Sequence, residues 1–417
     1  MNRINAPRGT RDIVYPEITA WQILEERIRE FYSRFLYREI RTPMFEHSEL
    51  FQRGIGDATE VVQKEMYTFE DKAGRSLTLR PENTASVVRA AIEGGLFDAV
   101  FPLRFFYIGP MFRYDKPQKG RFRQFHQFGV EVFREENPEL DAEVVYAAYA
   151  FLEELGLKEI SLEVNSVGCE ECRPAYLKVL QQEARAHQQE LCLDCRRKID
   201  TNPLRIFDCK QPGCRAAAAT FSTITPHLCR GCADHFAGVR AGLDTYAVPY
   251  TVNERMVRGL DYYTRTAFEI TSDRLGAQNA ILGGGRYNRL VRDLGGPDIA
   301  GIGFAAGMER LLLHLEIAPG KDPQICFLAC QSADSRADAM KLARQLWRAG
   351  YPAYLDYSAA NLKKQFRRSD RMNAAFTLVL GTEESASGEV SIKDMVRQEQ
   401  VRIPQQELLQ WLDQRKS

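Results

Sequence analysis

Between Glu17 and Leu36 the apolar residues Trp21, Leu24, Ile28, Phe31 and Phe35 recur at helical spacing, which predicts one helix packed along a single face. Tyr37 to Phe45 reads as a strand carrying Pro43. Proline has no ladder hydrogen to donate, so this strand belongs at a sheet edge or a subunit interface. Runs rich in β-branched and aromatic residues follow at Ser76 to Leu79, Leu103 to Gly109, Phe128 to Phe133, Thr266 to Thr271 and Ala300 to Ala305. Few helical patterns separate them, so the expected fold is α+β, an antiparallel sheet flanked by helices. After Ala318-Pro319-Gly320-Lys321-Asp322 the rhythm changes. Ile325 to Ala329, Tyr351 to Asp356 and Ala375 to Leu380 read as strands, alternating with helices over Arg336 to Ala349 and Leu362 to Asn373. That alternation predicts a small α/β domain with a mixed or parallel sheet.

These patterns divide the chain into a first block at 1–166 and 245–318, an insert at 167–244 and a second domain at 323–417. With 417 residues, the chain can bury several cores of ordinary size. Its 56 cations balance 56 anions, so a polyanionic partner must be held by local patches and not by a global field. The first residues lack the apolar core of a signal peptide and no apolar run is long enough to span a bilayer, so a soluble, cytoplasmic protein is expected.

A reducing compartment disfavours structural disulfides, and this governs how the ten cysteines are read. Eight fall in the insert as four close pairs: Cys169 with Cys172, Cys192 with Cys195, Cys209 with Cys214, and Cys229 with Cys232. Cys169, Cys172, Cys192 and Cys195 form a C-x2-C-x19-C-x2-C pattern, the spacing of a structural four-thiolate Zn²⁺ site. Buried or merely paired thiols are the competing reading. Cys326 and Cys330 lie in an apolar run and are expected in a core.

Arg113 to Gln127 packs five cations, a Gly and a Pro between two β-prone runs. It reads as a charged loop closing a hairpin, whose arginines match phosphate oxygens, unless it is simply a solvated turn. Arg80-Pro81-Glu82-Asn83-Thr84 sets a carboxylate between a strand and a helix-like segment, where it could meet an ammonium group. Gln127 and Glu131 share one face of their strand; a polar ligand, or a salt bridge to a core arginine, would account for them. Arg258-Gly259-Leu260-Asp261-Tyr262-Tyr263 follows a cation with a carboxylate and two phenols able to wall a flat ligand. Gly283-Gly284-Gly285 allows either a tight turn or a close approach. Gly307-Met308-Glu309-Arg310 places a cation early in a helix. Lys363, Lys364, Arg367, Arg368 and Arg371 could bind polynucleotide phosphates or form a solvated helix face.

Taken together, these segments resemble the class II aminoacyl-tRNA synthetases, and among them the histidyl-tRNA synthetase family. The Pro43 strand, the Phe112-Arg113 to Phe133 hairpin and Gly307 to Arg310 are similar to the three class motifs. Arg258 to Tyr263 and Gly284-Gly285-Arg286-Tyr287 are similar to the family's two histidine-specific peptides. The resemblance runs from Arg8-Gly9-Thr10-Arg11-Asp12 into the last domain. It implies a class II catalytic domain, a C-terminal anticodon-binding domain and a homodimer built on the Pro43 strand. The activity implied is formation of histidyl adenylate from L-histidine and ATP with Mg²⁺, then transfer of histidine to tRNA(His).

The family's site residues carry over by position. Glu82 and Thr84 would meet the α-amino group of histidine, with Asn83 between them where the family commonly has Gly. Gln127, Glu131, Tyr262 and Tyr263 would shape the pocket and read the imidazole. Arg113 would hold the α-phosphate, Arg258 would stabilise developing charge, Arg121 and Arg310 would grip the outer phosphates, and Phe125 would stack on adenine. The alternative within the same resemblance is the histidine-binding regulatory subunit of ATP phosphoribosyltransferase. Those paralogues typically lack the anticodon domain and part of the phosphate-handling set, both present here.

Overall fold

The protein is described by a computed structural model over residues 3–56, 59, 61–98, 103–117, 120–258, 260–272, 279–315, 324–358 and 360–415. It divides into two compact units, Met1–Ala318 and Pro319–Ser417.

The strands described in the first unit are β1 (Arg38–Glu39), β2 (Phe45–His47), β3 (Tyr67–Glu70), β4 (Ser76–Leu79), β5 (Arg104–Phe112), β6 (Gln124–Phe133), β7 (Ile160–Ser166), β8 (Thr251–Val252), β9 (Thr264–Ser272), β10 (Ala280–Arg286) and β11 (Gly301–Gly307). Eight of them form one sheet in the order β1-β5-β6-β11-β10-β9-β7-β8. Only the outermost pairs, β1 with β5 and β7 with β8, are parallel. The remainder form an antiparallel field, as the sequence predicts.

Strand alternation sorts the side chains of β6. Phe128, Val130 and Val132 turn to one face, where Trp21, Leu24, Ile28, Phe31 and Tyr32 of the helix Glu17–Ser33 meet them in the largest core. Phe151, from the helix Pro138–Glu154, lies 5.3 Å from Phe128 and 5.1 Å from Phe31, ring centre to ring centre. Gln127, Gly129 and Glu131 turn to the opposite face.

The expected strand over Tyr37 to Phe45 is instead two short strands, β1 and β2. Proline cannot donate to a ladder, and the broken segment serves as an acceptor. The carbonyls of Thr42 and Pro43 take hydrogen bonds from Arg80 Nη1 at 3.0 and 3.4 Å. β1 does lie at a sheet edge. Gly283-Gly284-Gly285 forms no turn; it is the middle of β10. A Cβ on Gly284 would strike the Gly303 carbonyl and Phe304, and one on Gly283 the Arg258 guanidinium. Their missing side chains let groups lie flat on the sheet.

Arg286 and Asp141 are both fully buried and paired beneath this sheet. Arg286 Nε donates to the two Asp141 oxygens at 3.0 and 3.1 Å. Its Nη1 donates to the Glu135 carbonyl at 3.0 Å and to Asn288 Oδ1 at 3.2 Å. Thr266 of β9 donates to the same carboxylate. One carboxylate thus joins β9, β10 and the helix Pro138–Glu154.

The second unit has strands β12 (Cys326–Cys330), β13 (Ala353–Leu355), β14 (Phe376–Leu380), β15 (Glu389–Asp394) and β16 (Glu399–Pro404), ordered β13-β12-β14-β15-β16. β12 is parallel to β13 and β14, and a hairpin absent from the sequence reading continues the sheet antiparallel. Cys326 and Cys330 are buried in its core, as expected. The basic helix Leu362–Arg371 docks through polar side chains: Gln365 bonds both backbone groups of Cys330 at 3.0 and 2.8 Å, and Ser369 bonds Thr377 at 2.6 Å. Lys363, Lys364, Arg367 and Arg371 are exposed. Arg368, also exposed, is paired to Asp356 at 2.9 Å.

Replacing Asp141 with Asn leaves a buried guanidinium without an anion. We expect a loss of about 3–5 kcal/mol in the denaturant transition of the first unit, most of it recovered in the Asp141→Leu/Arg286→Met double variant.

Candidate functional site

β5 and β6 pair through nine residues, and the loop between them carries the cations. The backbone pins this loop at both sides. Arg113 N–H donates to the Arg123 carbonyl at 2.8 Å, and Arg123 N–H donates to Gly9 at 2.7 Å, so the N-terminal segment clasps the hairpin. Below the loop, the face of β6, β11 and β10 that carries Gln127, Gly307, Ala305, Gly303 and Gly283 floors a cavity of about 630 Å³. That volume suits a small molecule or cofactor.

Four of the predicted arginines, Arg113, Arg121, Arg258 and Arg310, enter this cavity. Arg258 lies over Gly283 and pairs with Glu269 of β9, while Arg121 pairs with Asp115. Arg113 has no carboxylate partner among the described residues. Its Nε donates to the Pro81 carbonyl at 2.8 Å and its guanidinium lies 5.4 Å from the centre of the Phe125 ring. Burial lowers the pKa of Arg113 and of Arg310; Glu65 and Glu82 offset part of this at Arg113 and Glu269 at Arg310, while Arg121 repels both. Guanidinium groups keep their protons at any physiological pH. The mutual repulsion is therefore relieved by an anion, and a polyphosphate supplies several at once.

Glu82 and Thr84 line the same cavity beside Arg113, whose Nε bonds the carbonyl of neighbouring Pro81. Glu82 is buried and accepts from the backbone N–H groups of Thr84 at 2.7 Å and Ala85 at 3.0 Å, satisfying two orphan donors at the start of the helix Thr84–Glu93. Thr84 Oγ1 donates to Glu131 at 2.6 Å, and the Tyr287 hydroxyl donates to the other Glu131 oxygen. Burial pushes the Glu131 carboxyl up to about 8, against the pull of those two hydroxyls. Glu131 therefore stays protonated near neutrality. It is paired with no arginine, so the salt-bridge reading of this residue does not hold among the described residues.

Of the predicted pocket residues, Glu82, Thr84, Gln127, Tyr262 and Tyr263 line the cavity, as do Phe125 and the four arginines. The rings of Tyr262 and Tyr263 are 4.8 Å apart. Glu131 sits behind the wall, reached through Thr84 and Tyr287. Asn83 also leaves the cavity, because its Oδ1 accepts from Thr42 at 2.7 Å and from Arg80 at 3.3 Å. Gly259 lies outside the described residues. At the cavity, Gln127 Oε1 and Arg258 Nε are among the buried atoms without a hydrogen-bond partner. Such orphans mark where a polar ligand completes the set.

Sequence reasoning missed Arg205, Asp208 and Lys210, which wall the cavity from the cysteine-rich insert. Arg205 bonds Asp208 at 3.2 Å and reaches Asp261 at 3.6 Å, and Asn202 donates to Asp261 at 3.0 Å. Nothing local in Pro203-Leu204-Arg205 marks that placement, since it depends on how the insert folds back. Glu269 and Glu309 were also missed. Glu309, in the quoted Gly307 to Arg310 segment, accepts from the His126 N–H at 2.8 and 3.0 Å.

The cysteines assemble differently from the expected quartet. Cys169 and Cys172 meet Cys229 and Cys232, whereas Cys192 and Cys195 meet Cys209 and Cys214. The spacing points to adjacent pairs as partners, but the chain between them folds as helices that bring the first and last pairs together. None of the ten cysteines forms a disulfide.

The family model described as histidyl-tRNA synthetase matches residues 9–311, and the one described as anticodon binding domain matches 324–415. The chain is 47% identical over 404 residues to a histidine-tRNA ligase of Halothermothrix orenii, covering 96% of each chain. It is 47% identical over 410 residues to that of Pelotomaculum thermopropionicum, covering 97% of this chain and 96% of the relative. The crystal structure of apo histidyl-tRNA synthetase from S. aureus superposes with a TM-score of 0.82 at 37% identity, covering 98% of this chain and 99% of that one. The architecture is the mixed α+β fold of a class II synthetase with an anticodon-binding domain. Within that class, the chain belongs to the histidyl-tRNA synthetase family.

Glu131 gives a pH signature with a definite sign. Its carboxyl is raised from 4.5 to about 8 in the folded protein, so the folded state keeps a proton that the unfolded chain releases. The stability this lends is complete below pH 4.5 and is lost as pH rises through the folded value. In matched denaturation series, wild type should lose about 1.4 kcal/mol per pH unit relative to Glu131→Gln across this window, and a flat difference would refute the assignment.

Proposed function

We propose that this protein is a histidine-tRNA ligase, activating L-histidine with ATP to histidyl adenylate and then acylating the terminal ribose of tRNA(His). The observation that carries the proposal is the juxtaposition of mutually repelling Arg113, Arg121 and Arg310 with the buried carboxylate of Glu82 in one cavity. The arginines suit a polyphosphate, and Glu82, beside Arg113, suits an ammonium group. Full-length likeness to histidine-tRNA ligases, through the C-terminal unit, favours this reading over the regulatory subunit.

In this reading the α-amino group of histidine meets Glu82 and the Thr84 hydroxyl. The imidazole lies by Gln127, Tyr262 and Tyr263, whose amide and phenols match its one donor and one acceptor. Neutral Glu131 acts through Thr84 and Tyr287, fixing where those hydroxyls point. The histidine carboxylate attacks the α-phosphorus of ATP. The bond to the β-phosphate oxygen breaks, and pyrophosphate leaves with that electron pair. Arg113 holds the α-phosphate, Arg258 neutralises the charge that develops beside it, and Arg121 and Arg310 hold the departing phosphates. Phe125 stacks on adenine. The reaction is thus driven by positioning and charge neutralisation, with no side-chain nucleophile. Mg²⁺ would enter with ATP and supply further neutralisation.

The partition implied by the sequence belongs to the same proposal: residues 1–166 and 245–318 as the catalytic domain, 167–244 as an insert holding structural Zn²⁺, and 323–417 as the anticodon-binding domain. Lys363, Lys364, Arg367 and Arg371 present four exposed cations for RNA phosphates. Exposed Met44, Phe45 and Phe69 on and beside the sheet β2-β4-β3 offer an apolar surface for a homodimer. Among the described residues no helix is long and apolar enough to cross a membrane, and we place the protein in the cytoplasm.

Histidine-dependent exchange of labelled pyrophosphate into ATP tests the chemistry without tRNA. Arg113→Ala and Arg258→Ala should each lower the exchange rate by about 10²–10³-fold. A folded wild type that binds histidine yet shows no exchange would move the reading to a regulatory sensor. Changing Lys363, Lys364, Arg367 and Arg371 together to Ala should raise the KM for tRNA(His) about tenfold or more and leave exchange unaltered. Unaltered charging by that variant would refute the RNA-binding role of the helix.

A further inference from the structure

We infer that the insert holds two Zn²⁺ ions in nested tetrathiolate sites, and that the inner ion sets the position of the cavity wall formed by Arg205 and Lys210. The inference rests on the reading of the insert as a structural zinc module and fixes the number of ions, their ligands and their consequence.

The outer site comprises Cys169, Cys172, Cys229 and Cys232. Its sulfurs lie 3.7 Å (Cys169 to Cys229), 3.8 Å (Cys169 to Cys172) and 3.9 Å (Cys172 to Cys232) apart. Four thiolates around one Zn²⁺ at about 2.3 Å form a tetrahedron with edges of about 3.8 Å. A disulfide would need about 2.05 Å, and a multi-iron cluster would hold the sulfurs farther apart. The inner site comprises Cys192, Cys195, Cys209 and Cys214, with Cys192 and Cys209 sulfurs 4.0 Å apart. In each site the four sulfurs fall within 4.8 Å of one another. Backbone N–H groups point at sulfur in both: Cys169 to Cys172 at 3.3 Å and Cys192 to Cys214 at 3.1 Å. Such donors stabilise a coordinated thiolate.

The outer cysteines join residues sixty apart in sequence, the first pair just after β7 and the last pair at the start of the helix Arg230–Thr245. The inner cysteines bracket the segment Pro203–Ile206 and the turn after it. Ile206 is fully buried against Cys195 and Cys214 in the small core of the insert, while neighbouring Arg205 and Lys210 face the cavity. Zn²⁺ binding releases the four thiol protons of each site to solvent, and the ion then holds Cys209, next to Lys210, against the helix Leu193–Thr201.

Metal content of the full-length protein, purified without chelator from zinc-supplemented medium, tests this directly. Two zinc ions per chain, with X-ray absorption showing sulfur alone in the first shell, are expected. Cys229→Ser and Cys192→Ser should each retain one ion. Amide exchange over 204–210 should rise about tenfold in Cys192→Ser. No zinc in the wild type would overturn the zinc reading altogether. One ion in the wild type, nitrogen or oxygen ligands, or bound iron would overturn the nested assignment. Two ions with unchanged exchange over 204–210 in Cys192→Ser would overturn the control of the cavity wall.

Discussion

The fully buried pair of Asp141 and Arg286 is the constraint on which the site depends. Charge is tolerated inside a protein only where partners and hydrogen bonds are complete, and here one carboxylate fixes β9, β10 and the helix Pro138–Glu154 relative to one another. The next residue after Arg286 is Tyr287, whose hydroxyl reaches Glu131. Glu131 orients Thr84, and the Thr84 amide holds Glu82. An unbroken chain of contacts thus runs from the centre of the core to the edge of the cavity. The precision of the polar wall is inherited from an ion pair that never meets a ligand.

Two kinds of electrostatic tension coexist in this cavity. Arg258 and Arg121 are each matched by a carboxylate, and their geometry is held before anything binds. Burial depresses Arg113 and Arg310, and Arg121 repels both, so an arriving anion relieves that repulsion. A preorganised frame of arginines is a sound design for positioning a polyphosphate, because little reorganisation accompanies the reaction.

The sequence made the antiparallel sheet legible, since β5, β6, β9 and β11 each contain the apolar run expected of them. It also made the cationic hairpin and the Glu82 to Thr84 segment legible, because charge at strand ends has few structural uses. It was silent where the answer lay in tertiary packing. The glycines of β10 serve close approach within a strand, which looks the same as a turn signal until the neighbours are known. Asn83 turns to Thr42 and Arg80 instead of the cavity because buried Arg80 needs an acceptor. The cysteine spacing was informative about chemistry and misleading about partners, and Arg205 carried no local mark of its place in the wall.

The adjacency of Cys169 and Cys172 with Cys229 and Cys232 has a bearing on the protein's history. Residues 172–229 leave and return at nearly one point, so the host chain passes from β7 to β8 through the helix Arg230–Thr245 whatever that segment holds. A segment closed in this way can be lengthened, shortened or exchanged with little entropic penalty to the fold that carries it. The same segment supplies one wall of the cavity. The lineage could therefore remodel the rim of its reaction chamber by trading a cassette, while the strands beneath stayed fixed.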